Sequence, residues 1–333
     1  MKKFIRKESL YISISQSLID NSNKFLNIEK ISILNIFRAF FQDITFVGWG
    51  RKKSGTWAVR LAKLTKNNFL LLEDGFIRSL GLGVDRNQSF SLIQDDIGIY
   101  YDATTPSSLE NILTNYDFKN DFELIEIAKK AQSKIIEYKI SKYNSSIINN
   151  LDYLDNDLDK VLIIAQTAGD SSLKYGLGEL FTTKEMIDDA IKDNPLSEVY
   201  IKLHPDVLKG TKKSDIRLEE IPGKCKVLTA NINPIHLLEY FDKIYTKTSG
   251  MGMEALLLNK KVYCYGLPFY AGWGLTYDKQ VCSRRNRKLS IDELFAGAYI
   301  LYTTYYSLEL EKEIDILSLL EYIKTSFELD SLS

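Results

Sequence analysis

The chain has 333 residues, 45% hydrophobic and 26% charged, the make-up of a folded protein with room for two domains. Its 43 basic residues against 44 acidic ones give no bias toward nucleic acid, and two histidines exclude a multi-histidine metal centre. Three cysteines without a C-x-x-C pair (Cys225, Cys264, Cys282) fit free thiols in a reducing compartment better than disulfides or zinc.

The first residues lack the apolar core of a signal peptide. No apolar run approaches the roughly 20 residues of a membrane span. A cytoplasmic protein is expected, one that can still sit on a membrane surface. Up to about residue 42, Phe25, Leu26, Ile28, Ile31, Leu34, Phe37 and Phe41 fall near helical spacing with Lys24, Lys30 and Arg38 between them. This predicts an amphipathic helix, lying on the domain core or touching anionic lipid. Ile44-Thr45-Phe46-Val47 reads as a strand ending at Gly48-Trp49-Gly50, and a helix is expected from about Thr56 to Leu64. Phe69 to Leu72 follows as a buried strand, which makes a βαβ unit. Ser107 or Ser108 caps a helix, and a longer one runs from about Asp121 to Tyr143 with Leu124, Ala128, Ala131 and Ile135 on one face.

The polar stretch 144–159 marks a boundary, dividing the chain into 1–150 and 151–333, with the last helices able to pack back on the first domain. A second α/β series follows, with strands expected at 161–165, 199–203, 226–229, 243–246 and 261–265. Its helices are expected at about 182–192, 234–241, 250–258, 291–303 and 309–325. Asn233-Pro234 is a strong helix start, since Asn caps and proline suits the first helical position.

Chemistry-bearing residues gather where these strands end. Thr246 to Met253 joins a strand directly to a helix, so Thr248, Ser249 and Gly250 lie where backbone N–H groups and a positive helix end suit a phosphate. Glu254, one turn on, is placed to reach a ribose hydroxyl. Lys202, His204 and Pro205 close another strand and are expected to bind the same anionic group. Glu73 and Asp74 leave the first sheet at its carboxyl edge, and Asp170 holds the equivalent place in the second domain. Paired carboxylates can serve as nucleophile and acid/base at an anomeric carbon, or simply cap a helix. Asp95 and Asp96 are weaker candidates of the same kind. The loop Tyr270-Ala271-Gly272-Trp273-Gly274 is typical of close ligand approach, and Arg284 and Arg285 behind it either bind an anionic sugar or lipid head group or belong to a solvated loop. Gly48-Trp49-Gly50-Arg51 has a similar glycine–aromatic character, and its spacing is not that of a dinucleotide fingerprint.

Taken in order, these segments resemble the KpsC/LipB capsule-polysaccharide family of bacterial β-Kdo transferases (Kdo is 3-deoxy-D-manno-oct-2-ulosonic acid). The resemblance rests on Gly48 to Arg51, Leu72 to Ser79, Asp95 to Ala103, Gln166 to Ser171, Lys202 to Val207, Thr248 to Leu257 and Tyr265 to Thr276. It implies a GT-B fold of two Rossmann-like α/β domains facing a central cleft. It implies transfer of Kdo from CMP-β-Kdo, with retention, to a Kdo-terminated, glycan or lipid-linked acceptor, in capsule or related glycan assembly at the inner face of the cytoplasmic membrane. It also brings Gln166, Tyr270, Gly272 and Trp273 to the donor and Arg51 and Arg78 to anionic sugar contacts. CMP is a monophosphate leaving group, so no metal or other cofactor is expected. Family proteins commonly carry two modules, whereas these motifs occur here once. Another CMP-sugar transferase, sialyltransferase-like, or a non-catalytic capsule-assembly scaffold are the alternatives.

Overall fold

The computed structural model describes residues 10–80, 89–144, 150–204, 207 and 210–330. They build two sheets. The first contains β1 (Leu10–Ser13), β2 (Ile28–Lys30), β3 (Ile44–Trp49), β4 (Asn68–Asp74) and β5 (Ser91–Asp95), joined by β12 (Thr303–Ser307) and β13 (Lys312–Ile314) in the order β13-β12-β5-β4-β3-β1-β2. The second contains β6 (Lys160–Ile164), β7 (Glu198–Lys202), β8 (Lys226–Leu228), β9 (Lys243–Thr246), β10 (Lys261–Cys264) and β11 (Tyr277–Asp278), all parallel, in the order β11-β10-β9-β6-β7-β8. This is the two-domain α/β arrangement of the GT-B fold. The first sheet is mixed: β5 runs antiparallel to β4, and β12 and β13 extend it antiparallel.

Most elements lie where periodicity placed them. The helix Phe122–Glu137 starts at its Asp121 cap and buries Leu124, Ala128, Ala131 and Ile135. Asn233 caps Pro234–Glu239 by accepting from the His236 N–H at 3.1 Å.

Two stretches differ from expectation. The segment before residue 42 is not one helix. It folds as β1, a helix Gln16–Ser22, β2 and a short helix Ile33–Arg38. Ile28 is buried as a strand residue, while Leu34, Phe37 and Phe41 face outward. Helix-like spacing there is the sum of a strand's inward residue and a helix's outward ones, which share no face. The second difference is at the other end. Residues 309–325 were expected to be helical, but 312–314 form β13 and the helix begins at Ile316. Alternating Thr303 to Tyr306 suits an edge pair once β5 offers an open side. The helix Ile291–Phe295 continues into a wider π-type turn over Ala296–Leu301.

One apolar cluster runs between the sheets. It joins Leu71 and Ile93 of the first, and Ile99 just after β5, to Leu162, Ile244 and Val262 of the second. Leu151 and Leu154, inside the polar boundary stretch, are buried in it.

Candidate functional site

β4 pairs with β3 in parallel, so its last residues emerge beside Trp49 and Gly50. Glu73 is gripped there: the Trp49 indole N–H donates to its Oε1 at 2.9 Å. Its Oε2 stands 2.7 Å from where a side chain on Gly50 would begin, and the Tyr101 hydroxyl 2.2 Å from the same point. Gly50 has φ +36°, so both the backbone shape and the space require glycine. Burial pushes the Glu73 carboxyl up to about 7, partly opposed by the positive charge of Lys142. A carboxyl that holds its proton near neutrality is suited to acid/base work. Asp74 projects to the opposite face by strand alternation and is ion-paired with Arg78 at 2.9 Å.

Arg51 continues this edge. It reaches Asp102 at 2.5 Å and the Thr105 hydroxyl at 2.7 Å, and its guanidinium lies 5.8 Å from the Tyr175 ring centre in the second domain. Tyr175 ends the short helix Ser171–Tyr175, whose N-cap is Asp170. Asp170 accepts from the Ser172 N–H at 2.9 Å, so it does cap the helix. Gly169 before it has φ +76° and open space on its side-chain side, which leaves the approach to Asp170 clear. The chain of contacts Glu73–Gly50–Arg51–Tyr175 therefore connects the two carboxylate-bearing edges.

Behind Asp170, Gln166 ties three segments together. Its amide nitrogen donates to Thr248 Oγ1 at 3.0 Å, its oxygen accepts from the Thr248 N–H at 2.8 Å, and Ser172 Oγ lies 3.0 Å from Thr248 Oγ1. Lys247 is buried against Asp215 at 3.3 Å. The turn into helix Met251–Leu257 is more self-contained than expected. Met251 N–H bonds Ser249 Oγ, and the N–H groups of Gly252 and Met253 bond the Ser249 and Gly250 carbonyls. Gly250 itself borders open space.

Lys202 closes β7, is buried, and its ammonium has no hydrogen-bond partner among the described residues. Burial lowers its pKa to about 8. An unpaired buried cation is costly unless a bound anion completes it. His204 follows two residues later, and Pro205 lies outside the described residues.

Several expected ligand contacts are engaged elsewhere. Glu254 is buried beside Lys142 of the first domain, and burial pushes it up to about 7, partly opposed by the Lys142 backbone and charge. Trp273 is fully enclosed, its indole N–H on the Phe269 carbonyl at 2.9 Å. Tyr270 is equally enclosed and donates to the Ser249 carbonyl at 2.5 Å. Gly272 adopts φ +84° because the Arg285 side chain passes over it and Asp278 accepts its N–H. The glycine–aromatic loop is thus a packed support for the Ser249 turn. Arg285 is buried with its guanidinium on the Pro268 and Ala271 carbonyls and on Glu110, while Arg284 takes the other Glu110 oxygen at 2.5 Å and the Ala103 carbonyl at 2.6 Å. These arginines clamp the loop to the first domain instead of presenting a cationic surface. Asp95 is buried under Ser108, two backbone N–H groups and the Tyr302 hydroxyl, and exposed Asp96 accepts from Ser108 Oγ.

Lys142 was not visible in the sequence. It sits in a polar stretch after a helix, and only folding sets its charge against Glu73, Tyr100, Tyr299 and Glu254 together. Tyr101 and Glu110 were likewise unmarked, although Tyr101 falls in one of the resembling segments.

The comparisons agree with this layout. A family model described as "Capsule polysaccharide biosynthesis protein" matches residues 44–160 and 154–308. The capsule polysaccharide modification protein LipA of Neisseria meningitidis serogroup B is 37% identical over 288 residues, which are 84% of this chain and 41% of LipA. The lipopolysaccharide-processing protein LpsZ of Rhizobium meliloti is 39% identical over 80% of this chain and 60% of its own. The chain thus spans about two fifths of the length of LipA. Among solved structures, the Thermosulfurimonas dismutans KpsC β-Kdo 2,4 transferase superposes with TM-score 0.87 at 38% identity, covering 95% of this chain and 98% of that one. The β-Kdo 2,7 transferase of the same organism gives 0.72 at 30% identity, covering 96% and 99%. With the family match running through both sheets, this chain belongs to the KpsC/LipB capsule polysaccharide biosynthesis family.

Proposed function

We propose that the chain is a retaining β-Kdo transferase that moves Kdo from CMP-β-Kdo to a glycan or glycolipid acceptor in surface-polysaccharide synthesis, working at the inner face of the cytoplasmic membrane. The observation that carries this is Glu73, a carboxyl held by Trp49 with its pKa pushed up to about 7, joined through Arg51 and Tyr175 to the helix capped by Asp170. The likeness to the KpsC transferases supplies the sugar.

In this reading Asp170 attacks the anomeric carbon and the bond to the CMP phosphate breaks, leaving a glycosyl ester on the enzyme. The acceptor hydroxyl then attacks that carbon from the side CMP left, the ester bond breaks, and a base takes the hydroxyl proton. Glu73, which gave its proton to the departing CMP phosphate in the first step, is that base. Two inversions give retention. The departing phosphate meets Lys202, whose buried ammonium has no hydrogen-bond partner among the described residues, so no metal is needed to balance it. The tight bonds within the Ser249 turn leave Lys202 and the Ser249 to Gly250 edge, rather than a full helix end, to hold the anion.

The test is turnover of preformed CMP-β-Kdo with Kdo-terminated and lipid acceptors in excess chelator, with product configuration read by NMR. A β-ketoside formed without added metal is expected. An α-ketoside, or a strict divalent-ion requirement, would overturn the reading.

A further inference from the structure

Two helices of the first domain, Ile33–Arg38 and Lys53–Thr65, lie side by side on its sheet. Their inner sides share one core cluster, in which Ala39, Ala58 and Ala62 pack on Ile12, Ile44 and Phe46. The Asn67 side chain also donates to the Ala39 carbonyl at 2.5 Å, fixing the end of the first helix to the end of the second. Their outer sides therefore belong to one surface.

That surface has an unusual composition. Ile33, Leu34, Phe37, Phe40 and Phe41 form a single protruding turn, each more than half exposed. Trp57 and Leu64 lie outward on the neighbouring helix, also at least half exposed. Scattered exposed apolar residues need no explanation, but seven on one face, three of them phenylalanine, do. The charged residues beside them are mostly basic, with exposed Asp43 the acidic neighbour of the Phe41 turn. Lys53, Arg60, Lys63 and Lys66 are exposed and make no ion pair among the described residues, and the helix carrying the first three has no acidic residue. The whole chain carries a net charge of only -1, so this is a local concentration of positive charge rather than a general property.

We infer that this face docks on a bilayer containing anionic lipid, with the Ile33 to Phe41 turn entering the head-group layer and the Lys53 to Lys66 cations resting on lipid phosphates. Charge complementarity selects this occupant. An apolar wedge inside a basic rim matches a surface that is negative outside and apolar beneath. No described helix is long and apolar enough to cross a membrane, so the contact is interfacial. The proposal goes beyond the transferase reading and stands without it, because it concerns binding to vesicles and not turnover.

The experiment is flotation of the purified chain with vesicles of phosphatidylcholine alone and of phosphatidylcholine mixed with phosphatidylglycerol. The wild type should float with the mixed vesicles, less so as salt rises. Phe37→Ser with Phe41→Ser should cut the bound fraction at least about tenfold, as expected for removing two inserted rings. Lys53→Glu with Arg60→Glu and Lys63→Glu should abolish the preference for the anionic vesicles. All these positions are exposed, so thermal unfolding of both variants should match wild type. A wild type that floats with neither vesicle, or variants that float as it does, would overturn the proposal. So would a concentration-dependent dimer lost in the same variants, which would make the face a protein interface. Loss of transfer activity with vesicle binding intact would count against the proposed function alone.

Discussion

Trp49 and Glu73 meet across neighbouring parallel strands, the indole N–H on Oε1 at 2.9 Å, and this bond orients a carboxyl whose pKa burial pushes up to about 7. Glu73→Gln is expected to lower turnover by about 10²-fold or more while donor binding persists. Trp49→Phe keeps the carboxyl but frees its orientation, and should cost less, about tenfold. Steady-state rates at saturating donor decide between them. Equal, small losses would remove Glu73 from the chemistry.

The same carboxyl, with Glu254, makes stability depend on pH in a defined direction. Both have folded pKa values near 7 against an ordinary value of 4.5. In the unfolded chain they ionise as pH passes 4.5, while in the fold they keep their protons until about 7. The stability they confer is therefore complete below pH 4.5 and is lost as pH rises through 7. The loss is on the order of 3 kcal/mol for each group. Denaturant midpoints measured from pH 5 to 8 should fall along that range for wild type, and fall less for Glu254→Gln.

Lys202 gives opposite expectations for stability and binding. Its ammonium is buried without a hydrogen-bond partner among the described residues. Lys202→Met should raise the melting temperature of the donor-free protein, since an unpaired buried charge is removed. The same variant should weaken CMP binding by about tenfold or more, by loss of a charge-assisted contact. Calorimetry on one preparation reads both. A variant that is destabilised and still binds CMP normally would show that Lys202 is structural.

Glu110 holds Arg284 and Arg285 across the domain junction. Glu110→Ala leaves the buried Arg285 without its counter-charge and should cost about 3–5 kcal/mol. Arg284→Ala, at the more exposed partner, should cost about 1 kcal/mol. Chemical unfolding of the two variants checks the order. If these arginines bound the sugar instead, Arg284→Ala would raise the donor or acceptor KM with no change in stability.

Gly252 lies against Tyr270, whose hydroxyl is 2.1 Å from the position a side chain would take. Gly252→Ala should displace the ring and break its bond to the Ser249 carbonyl, lowering both stability and donor affinity. Tyr270→Phe in the same chain should recover part of the stability, because it removes the clashing oxygen. The double-variant cycle is read from melting temperatures.

Periodicity and capping chemistry carried most of the second domain. Its strands are short β-branched runs, its helices open at Asn233, Thr182 and Ser290 caps, and those signals are local. The strand-end positions of Glu73 and Lys202 were legible for the same reason, since an apolar run that stops at a polar residue marks a sheet edge, whereas Asp170 lies beyond β6 as the cap of the next helix. What each side chain does there was not legible. Trp273, Tyr270, Arg284 and Arg285 have the residue types of a ligand loop, yet the fold spends them on one another and on Glu110. Lys142 and Glu254 are far apart in sequence and meet only because the two domains close on a shared apolar cluster. The addition of residues 303–314 to the first sheet is of the same kind, because strand pairing depends on which edge is open and not on the segment's own pattern. Local sequence specifies backbone shape and polarity; the partner of a polar group is set by whatever the folded chain brings within hydrogen-bond reach.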